Sequence, residues 1–276
     1  MNPRPRRTLL YLPASRAGAV AKARTLDCDC VILDLEDAVA PHAKIAARDA
    51  AAAALDGDWG HREVAIRVNA LGTTWSAADF AMVARAQPDA VVVPKLDSAA
   101  DARAAVAAAG GMPVWAMIET PAGLLDAPAI AATPGVTALV AGFADLAADL
   151  RLRPDAARAP LQYAMSAIVV AARAAGILAF DGVFIDLADD AGLAAEARQG
   201  QMFGFDGKTI IHPGQIVTVN TVFAPTADEI DRARRTIAAH AESRDGVTTL
   251  DGKMVEVLHV GTARRVLAAA AAIAAR

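Results

Sequence analysis

Val31-Ile32-Leu33-Asp34-Leu35-Glu36-Asp37-Ala38-Val39 runs from apolar, β-branched residues into three carboxylates within four positions. The apolar part reads as a buried strand, and charges gathered where a strand leaves the core form a polar site or solvate a loop. Repetition favours the site. Val64-Ala65-Ile66-Arg67-Val68-Asn69, Val91-Val92-Val93-Pro94-Lys95, Val114-Trp115-Ala116-Met117-Ile118-Glu119-Thr120 and Ala138-Leu139-Val140-Ala141-Gly142-Phe143-Ala144-Asp145 also run from apolar residues into a charge. Five strands thus deliver polar groups from their C-terminal ends.

Outward from these, short apolar runs alternate with Ala-rich amphipathic stretches, the pattern of β/α units on a parallel sheet. The strands are expected at 8–12, 28–33, 64–68, 90–93, 114–118, 138–141, 178–180 and 209–211. The helices are expected at 17–25, 44–55, 76–86, 99–108, 161–175 and 193–202. No G-x-G-x-x-G follows the first strand and no P-loop is present, so a closed (β/α)8 barrel is favoured over a doubly wound open sheet. In such a barrel the active site lies at the C-terminal strand ends. The expected organisation is a barrel over residues 1–223. After the eighth strand comes a helix near 216–222, and an extension of the same domain follows at 224–276, with a helix near 227–241, a hairpin at 248–257 and a last Ala-rich helix; this tail is a candidate lid or subunit contact.

A length of 276 residues suits one large α/β domain, and no linker-like segment divides it. The 27 basic and 31 acidic residues leave a formal charge of −4, which provides no basic stripe for nucleic acid. No apolar stretch reads as a membrane span, and Leu9-Leu10-Tyr11-Leu12-Pro13 is too short for a signal-peptide core, so a cytoplasmic protein is expected. Cys28 and Cys30 have neither zinc nor redox spacing and read as small core residues.

Glu119 and Asp145, at the ends of neighbouring strands, read either as carboxylate ligands for a hard ion such as Mg2+ or as loop acids that cap helices. Arg67 needs an anion, supplied either by a substrate carboxylate or by Glu36 or Asp37 on the adjacent strand end. The five histidines have no ligand spacing, and no Ser-His-Asp arrangement is evident.

Arg7-Thr8-Leu9-Leu10-Tyr11-Leu12-Pro13, Asp34-Leu35-Glu36-Asp37-Ala38-Val39, Arg67-Val68-Asn69, Pro94-Lys95, Glu119-Thr120, Gly142-Phe143-Ala144-Asp145-Leu146 and Gly204-Phe205-Asp206-Gly207-Lys208-Thr209-Ile210-Ile211-His212-Pro213 occur in order along the chain. Together they resemble the citrate lyase beta-subunit-like branch of the HpcH/HpaI aldolase/citrate lyase family, which includes citramalyl-CoA and malyl-CoA lyases. The resemblance implies a TIM barrel, Mg2+, and a retro-Claisen cleavage of a 3-hydroxyacyl-CoA thioester to acetyl-CoA and a 2-oxoacid. It implies Glu119 and Asp145 as metal ligands and Arg67 as the substrate-binding electrophile. Glu119, Gly142, Phe143, Ala144 and Asp145 would line the substrate, with Asp34, Glu36 and Asp37 orienting Arg67 and metal-bound water. Asp181-Gly182 and Asp186 would lie nearer the thioester arm.

The resemblance further implies a homo-oligomer, trimer or hexamer, in which a C-terminal lid from a neighbouring subunit supplies a proton-transferring aspartate. Glu256 stands at that aspartate's position, one methylene longer, with Asp251 and His259 as fallbacks. Lys22 and Lys208 are the lysines expected to meet the CoA phosphates, against the ordinary reading as solvated surface charges. Citramalyl-CoA is the expected thioester. The alternatives are a citryl-thioester lyase subunit, a malyl-CoA thioesterase, a CoA-independent aldehyde aldolase and a non-catalytic CoA-binding subunit.

Overall fold

The computed structural model describes residues 4–153, 155, 157–243 and 246–276. Its strands are β1 (Thr8–Pro13), β2 (Cys30–Asp34), β3 (Glu63–Arg67), β4 (Ala90–Val93), β5 (Val114–Ile118), β6 (Val136–Ala141), β7 (Leu178–Asp181) and β8 (Gly207–Ile210), then β9 (Thr248–Leu250) and β10 (Lys253–Val255). The α-helices are α1 (Ala17–Ala23), α2 (Lys44–Leu55), α3 (Ser76–Ala86), α4 (Ala99–Ala108), α5 (Pro121–Ala131), α6 (Phe143–Asp149), α7 (Gln162–Ala175), α8 (Asp190–Phe203), α9 (Ile216–Phe223), α10 (Ala227–Ala241) and α11 (Val257–Ala274). Strands β1 to β8 pair in sequence order, all parallel, and β8 closes on β1. This is the TIM barrel that the alternating pattern predicts.

Two helices escape the sequence reading. The first, α5, carries Gly123 and an interior proline, Pro128, which count against a helix. It forms because Thr120 caps it, accepting from the Gly123 N–H at 3.0 Å, and because Pro121 fits the first turn. Leu124, Ala127 and Ile130 then bury one face. The second, α6, is only seven residues long and starts directly after Gly142, too short for periodicity to register.

Strand parity positions the site. The barrel core contains Leu9, Cys30, Ile32, Ala65, Ala90, Val92, Trp115, Met117, Ala138, Val140 and Phe180. Because alternate strand residues face the same side, stepping two residues on from the inward set at five strands reaches Tyr11, Asp34, Arg67, Glu119 and Gly142. These five occupy the C-terminal mouth. The opposite end is closed by structural pairs: Arg7 meets Asp29 at 2.9 Å, and Arg6 pairs with Glu63. There a Cβ on Gly207 would fall 1.8 Å from the Arg6 carbonyl oxygen, so the motif requires glycine for a close backbone approach.

The chain divides into two compact units, one spanning residues 6–220 with the barrel and the other built mainly of residues 221–276. In the second unit Thr226 and Glu229 form a reciprocal capping box on α10. The β9–β10 hairpin turns at Asp251-Gly252, with φ of 50° and 73°, the left-handed pair of a type I′ turn. Arg235 of α10 holds Asp251 by two 2.9 Å bonds. Against the sequence reading, α11 is long and apolar enough to cross a membrane by length and composition, with mean hydropathy 1.3. Alanines supply much of that value, Arg264 and Arg265 stand near its centre, and α11 packs on α10.

Candidate functional site

Register brings Asp34 of β2 opposite Arg67 of β3. Asp34 accepts from Arg67 Nε and Nη2 at 2.7 Å each, and from the N–H groups of Glu36 and Ala38 at 2.9 and 3.0 Å. Asp34 is therefore the principal anion for Arg67, ahead of the expected Glu36 and Asp37, because it alone lies directly across the sheet. Glu36 Oε2 approaches Arg67 Nη1 to 2.9 Å without the alignment of a hydrogen bond, and Asp37 stands at 3.6 Å. Burial opposes the charge on Arg67, but the bonds and charge of Asp34, with Tyr11 and Glu36, hold its pKa above the ordinary value. Burial, with the negative charges of Asp37 and Asp34, raises the Glu36 carboxyl. The buried Lys44 fixes this acidic loop by donating to the carbonyls of Leu35 and Glu36 at 2.9 Å.

Glu119 follows β5 and is 1 % exposed. Its Oε1 accepts from the Lys95 N–H at 2.8 Å, and Lys95 takes a left-handed φ of 53° that turns this N–H inward. Its Oε2 is buried with no hydrogen-bond partner among the described residues. Burial, Glu36 and Asp145 together push the Glu119 carboxyl up to about 8. β5 pairs with β6, as the sequence reading expects, but Asp145 lies in the first turn of α6, beyond the strand end. Gly142 joins the two: a Cβ there would fall 2.3 Å from the Glu119 Cβ.

Five carboxylates, Asp34, Glu36, Asp37, Glu119 and Asp145, share this mouth with two cations, Arg67 and Lys95. Three formal negative charges remain, and two of the acids have a buried oxygen without a hydrogen bond among the described residues: Glu36 Oε2, which faces Arg67 at 2.9 Å, and Glu119 Oε2. A divalent cation relieves both the charge and the Glu119 oxygen. Among the described residues no group of three or more His, Cys, Asp or Glu could hold a metal. Glu119 and Asp145 are the two oxygen donors that could hold a Mg2+ ion, whose other ligands would then be water and substrate oxygens.

A cavity of about 340 Å3 opens at this mouth, lined by Tyr11, Asp34, Asp37, Arg67, Met117, Gly142, Phe143, Ala144 and Asp145 among others. A larger cavity of about 640 Å3 shares Val183 with it and contains Asp186, Arg153 and Arg158, but none of the strand-end charges. The smaller cavity is therefore the one that meets the strand-end charges, through Asp34, Asp37, Arg67 and Asp145. Tyr11, to which the sequence reading gives no role, lines it with its ring 4.8 Å from the Arg67 guanidinium. Parity along β1 is the signal that would have found it.

Lys208 overturns an expectation. It is fully buried, with Nζ 3.0 Å from Asp181, 2.6 Å from Glu196 and bonded to the Gly182 carbonyl. Its position on β8 aims it outward beneath α8, while Thr209 lines the cavity, so its ammonium is unavailable to a phosphate. Asp181 is likewise consumed, by Lys208 and by Arg158 at 2.8 Å. Lys22 is exposed in the last turn of α1. In the C-terminal unit Glu256 is half-buried as the N-cap residue of α11, its N–H bonded to His259 Nδ1 at 3.1 Å. Both cysteines are buried and neither forms a disulfide, and burial pushes the Cys28 thiol up to about 11.

The profile of the HpcH/HpaI aldolase/citrate lyase family matches residues 7–213. A (3S)-malyl-CoA thioesterase of Cereibacter sphaeroides is 47% identical over 277 residues, covering 98% of this chain and 96% of its own. The citrate lyase subunit beta of Escherichia coli is 36% identical over 283 residues, 97% and 94% of the two chains. A crystal structure of CitE from Mycobacterium tuberculosis, in complex with magnesium, acetoacetate and coenzyme A, is 33% identical with a TM-score of 0.83, covering 98% of this chain and 100% of that one.

Proposed function

This chain belongs to the HpcH/HpaI aldolase/citrate lyase family, and from that premise we propose that it is a Mg2+-dependent enzyme that hydrolyses the thioester of malyl-CoA. The observation that carries the reading is the orphaned, buried Glu119 oxygen in a mouth with three excess negative charges, alongside an arginine already fixed by Asp34. Such a mouth binds a cation and then an anionic, oxygen-rich substrate. Likeness over the whole chain to malyl-CoA thioesterases supports malyl-CoA ahead of citramalyl-CoA, and hydrolysis ahead of carbon–carbon cleavage.

Glu119 and Asp145 would hold the ion. When bound, Mg2+ supplies a Lewis acid for the oxygens of the hydroxy acid. Asp34 holds Arg67 by one edge, so the remaining N–H groups are preorganised for negative charge developing on substrate oxygen. Glu36, its proton affinity raised, is the base that the mouth provides. In hydrolysis it takes a proton from the water that adds to the thioester carbon, and the CoA thiolate leaves. One base suffices, and the barrel supplies it.

Retro-Claisen cleavage is the second reading, favoured by likeness to the citrate lyase beta subunit. There the base takes the hydroxyl proton, the carbon–carbon bond breaks, and the acetyl-CoA enolate must gain a proton. That second group is proposed to be Glu256, offered by one subunit to its neighbour in a cytoplasmic homo-oligomer. Lys22 remains the proposed contact for a CoA phosphate.

Mass-spectrometric product analysis with malyl-CoA, citramalyl-CoA and citryl-CoA tests both readings, with Mg2+ and with EDTA. Metal-dependent malate and free CoA are expected. Acetyl-CoA with glyoxylate would establish the lyase, and absence of turnover on all three would overturn both.

A further inference from the structure

We propose that Tyr11 is a substrate-binding residue whose phenol donates a hydrogen bond to an oxygen of a small 2-hydroxy or 2-oxo carboxylate in the strand-end cavity. The inference deepens the proposed function and rests on it. Parity along β1 turns Tyr11 to the same side as Leu9, into the barrel, opposite Ile32 and two residues below the level of Asp34 in the strand register. It lines the cavity beside Arg67 and Asp34. Its hydroxyl is buried and has no hydrogen-bond partner among the described residues.

A buried hydroxyl left unpaired is unfavourable, so an orphan at a cavity wall marks where a ligand atom completes the geometry. The obvious internal acceptor is already used: Asp34 has both oxygens engaged by Arg67 and two backbone N–H groups. The guanidinium, 4.8 Å from the ring centre, marks the region where an anionic ligand would lie. Burial, reinforced by Asp34, Glu119 and Glu36, raises the phenol pKa and keeps the proton on oxygen, so Tyr11 acts as a donor. Arg67 grips charge, whereas Tyr11 adds a directional contact to one oxygen.

The test is calorimetric titration of the full chain and of Tyr11→Phe, which retains the ring beside Arg67. The ligands are (S)-malate and pyruvate at saturating Mg2+, then Mg2+ alone. The expected result is an approximately tenfold loss of affinity for the acids in Tyr11→Phe. Mg2+ affinity and unfolding temperature should be unchanged, and KM for malyl-CoA should rise more than kcat falls. Unchanged acid binding by Tyr11→Phe would overturn the assignment, leaving the hydroxyl satisfied by solvent. Failure of the wild-type protein to bind either acid would instead remove the proposed function, and the Tyr11 role with it.

Discussion

Asp34 and Arg67 stand opposite one another on adjacent parallel strands, joined by two 2.7 Å hydrogen bonds with both side chains buried. This fork fixes the guanidinium in one plane before any substrate arrives. Removing one partner of a buried pair is costly because the other charge is left uncompensated.

Asp34→Asn should therefore destabilise the protein by about 3–5 kcal/mol in urea unfolding and abolish turnover. Asp34→Asn combined with Arg67→Met should recover part of the stability but none of the activity. An additive double mutant would show that the two side chains are not coupled.

The Glu119 carboxyl should link metal, pH and stability. Its pKa is raised from 4.5 to about 8, so without metal the fold favours the protonated form. That contribution is fully present below the unfolded value and is lost as pH rises through the window from about 4.5 to 8. Scanning calorimetry of the metal-free protein should show its unfolding temperature falling between pH 6 and 8.5. The increment from Mg2+ should be larger at pH 8.5, where the ion need not displace a proton, and Glu119→Gln should erase this difference.

Gly142→Ala should weaken Mn2+ binding, measured by electron paramagnetic resonance, on the order of tenfold or more. The added methyl would meet the Glu119 Cβ at 2.3 Å, so the carboxylate or the start of α6 must move. Unaltered Mn2+ affinity would separate Gly142 from the metal pair.

Lys208→Met and Lys22→Ala should have opposite effects. The first leaves Asp181 and Glu196 without their ammonium, so stability should drop by about 3–5 kcal/mol while KM for the thioester holds. The second should leave stability within about 0.5 kcal/mol and raise KM. A raised KM for a stable Lys208→Met would restore that lysine as a phosphate contact.

Much of this was legible in the chain. Ala90–Val93, Val114–Ile118 and the helix Lys44–Leu55 fall where apolar runs and periodicity put them. Glu119 lies on the fifth strand end because β-branched and apolar residues there can only be buried. The family motifs mark positions without sorting their roles. Asn69 and Arg7 belong to motifs as much as Arg67 does, yet Asn69 is spent on Asp79 and Arg7 on Asp29. α5 was hidden because Gly123 and the interior Pro128 argue against a helix that capping and burial nevertheless stabilise.

The sequence by itself determined the eight strands, their order and the carboxylates and arginine at their ends, because alternation and charge placement are local properties of the chain. Only the tertiary structure decided which acid holds Arg67, that Glu119 retains an unmatched oxygen, that Gly142 must be glycine, and that Lys208 points away from the site. Each depends on register between strands and on which way a side chain leaves the sheet. A shift of one residue reverses facing, so contacts made across the barrel are settled by how the strands align and close.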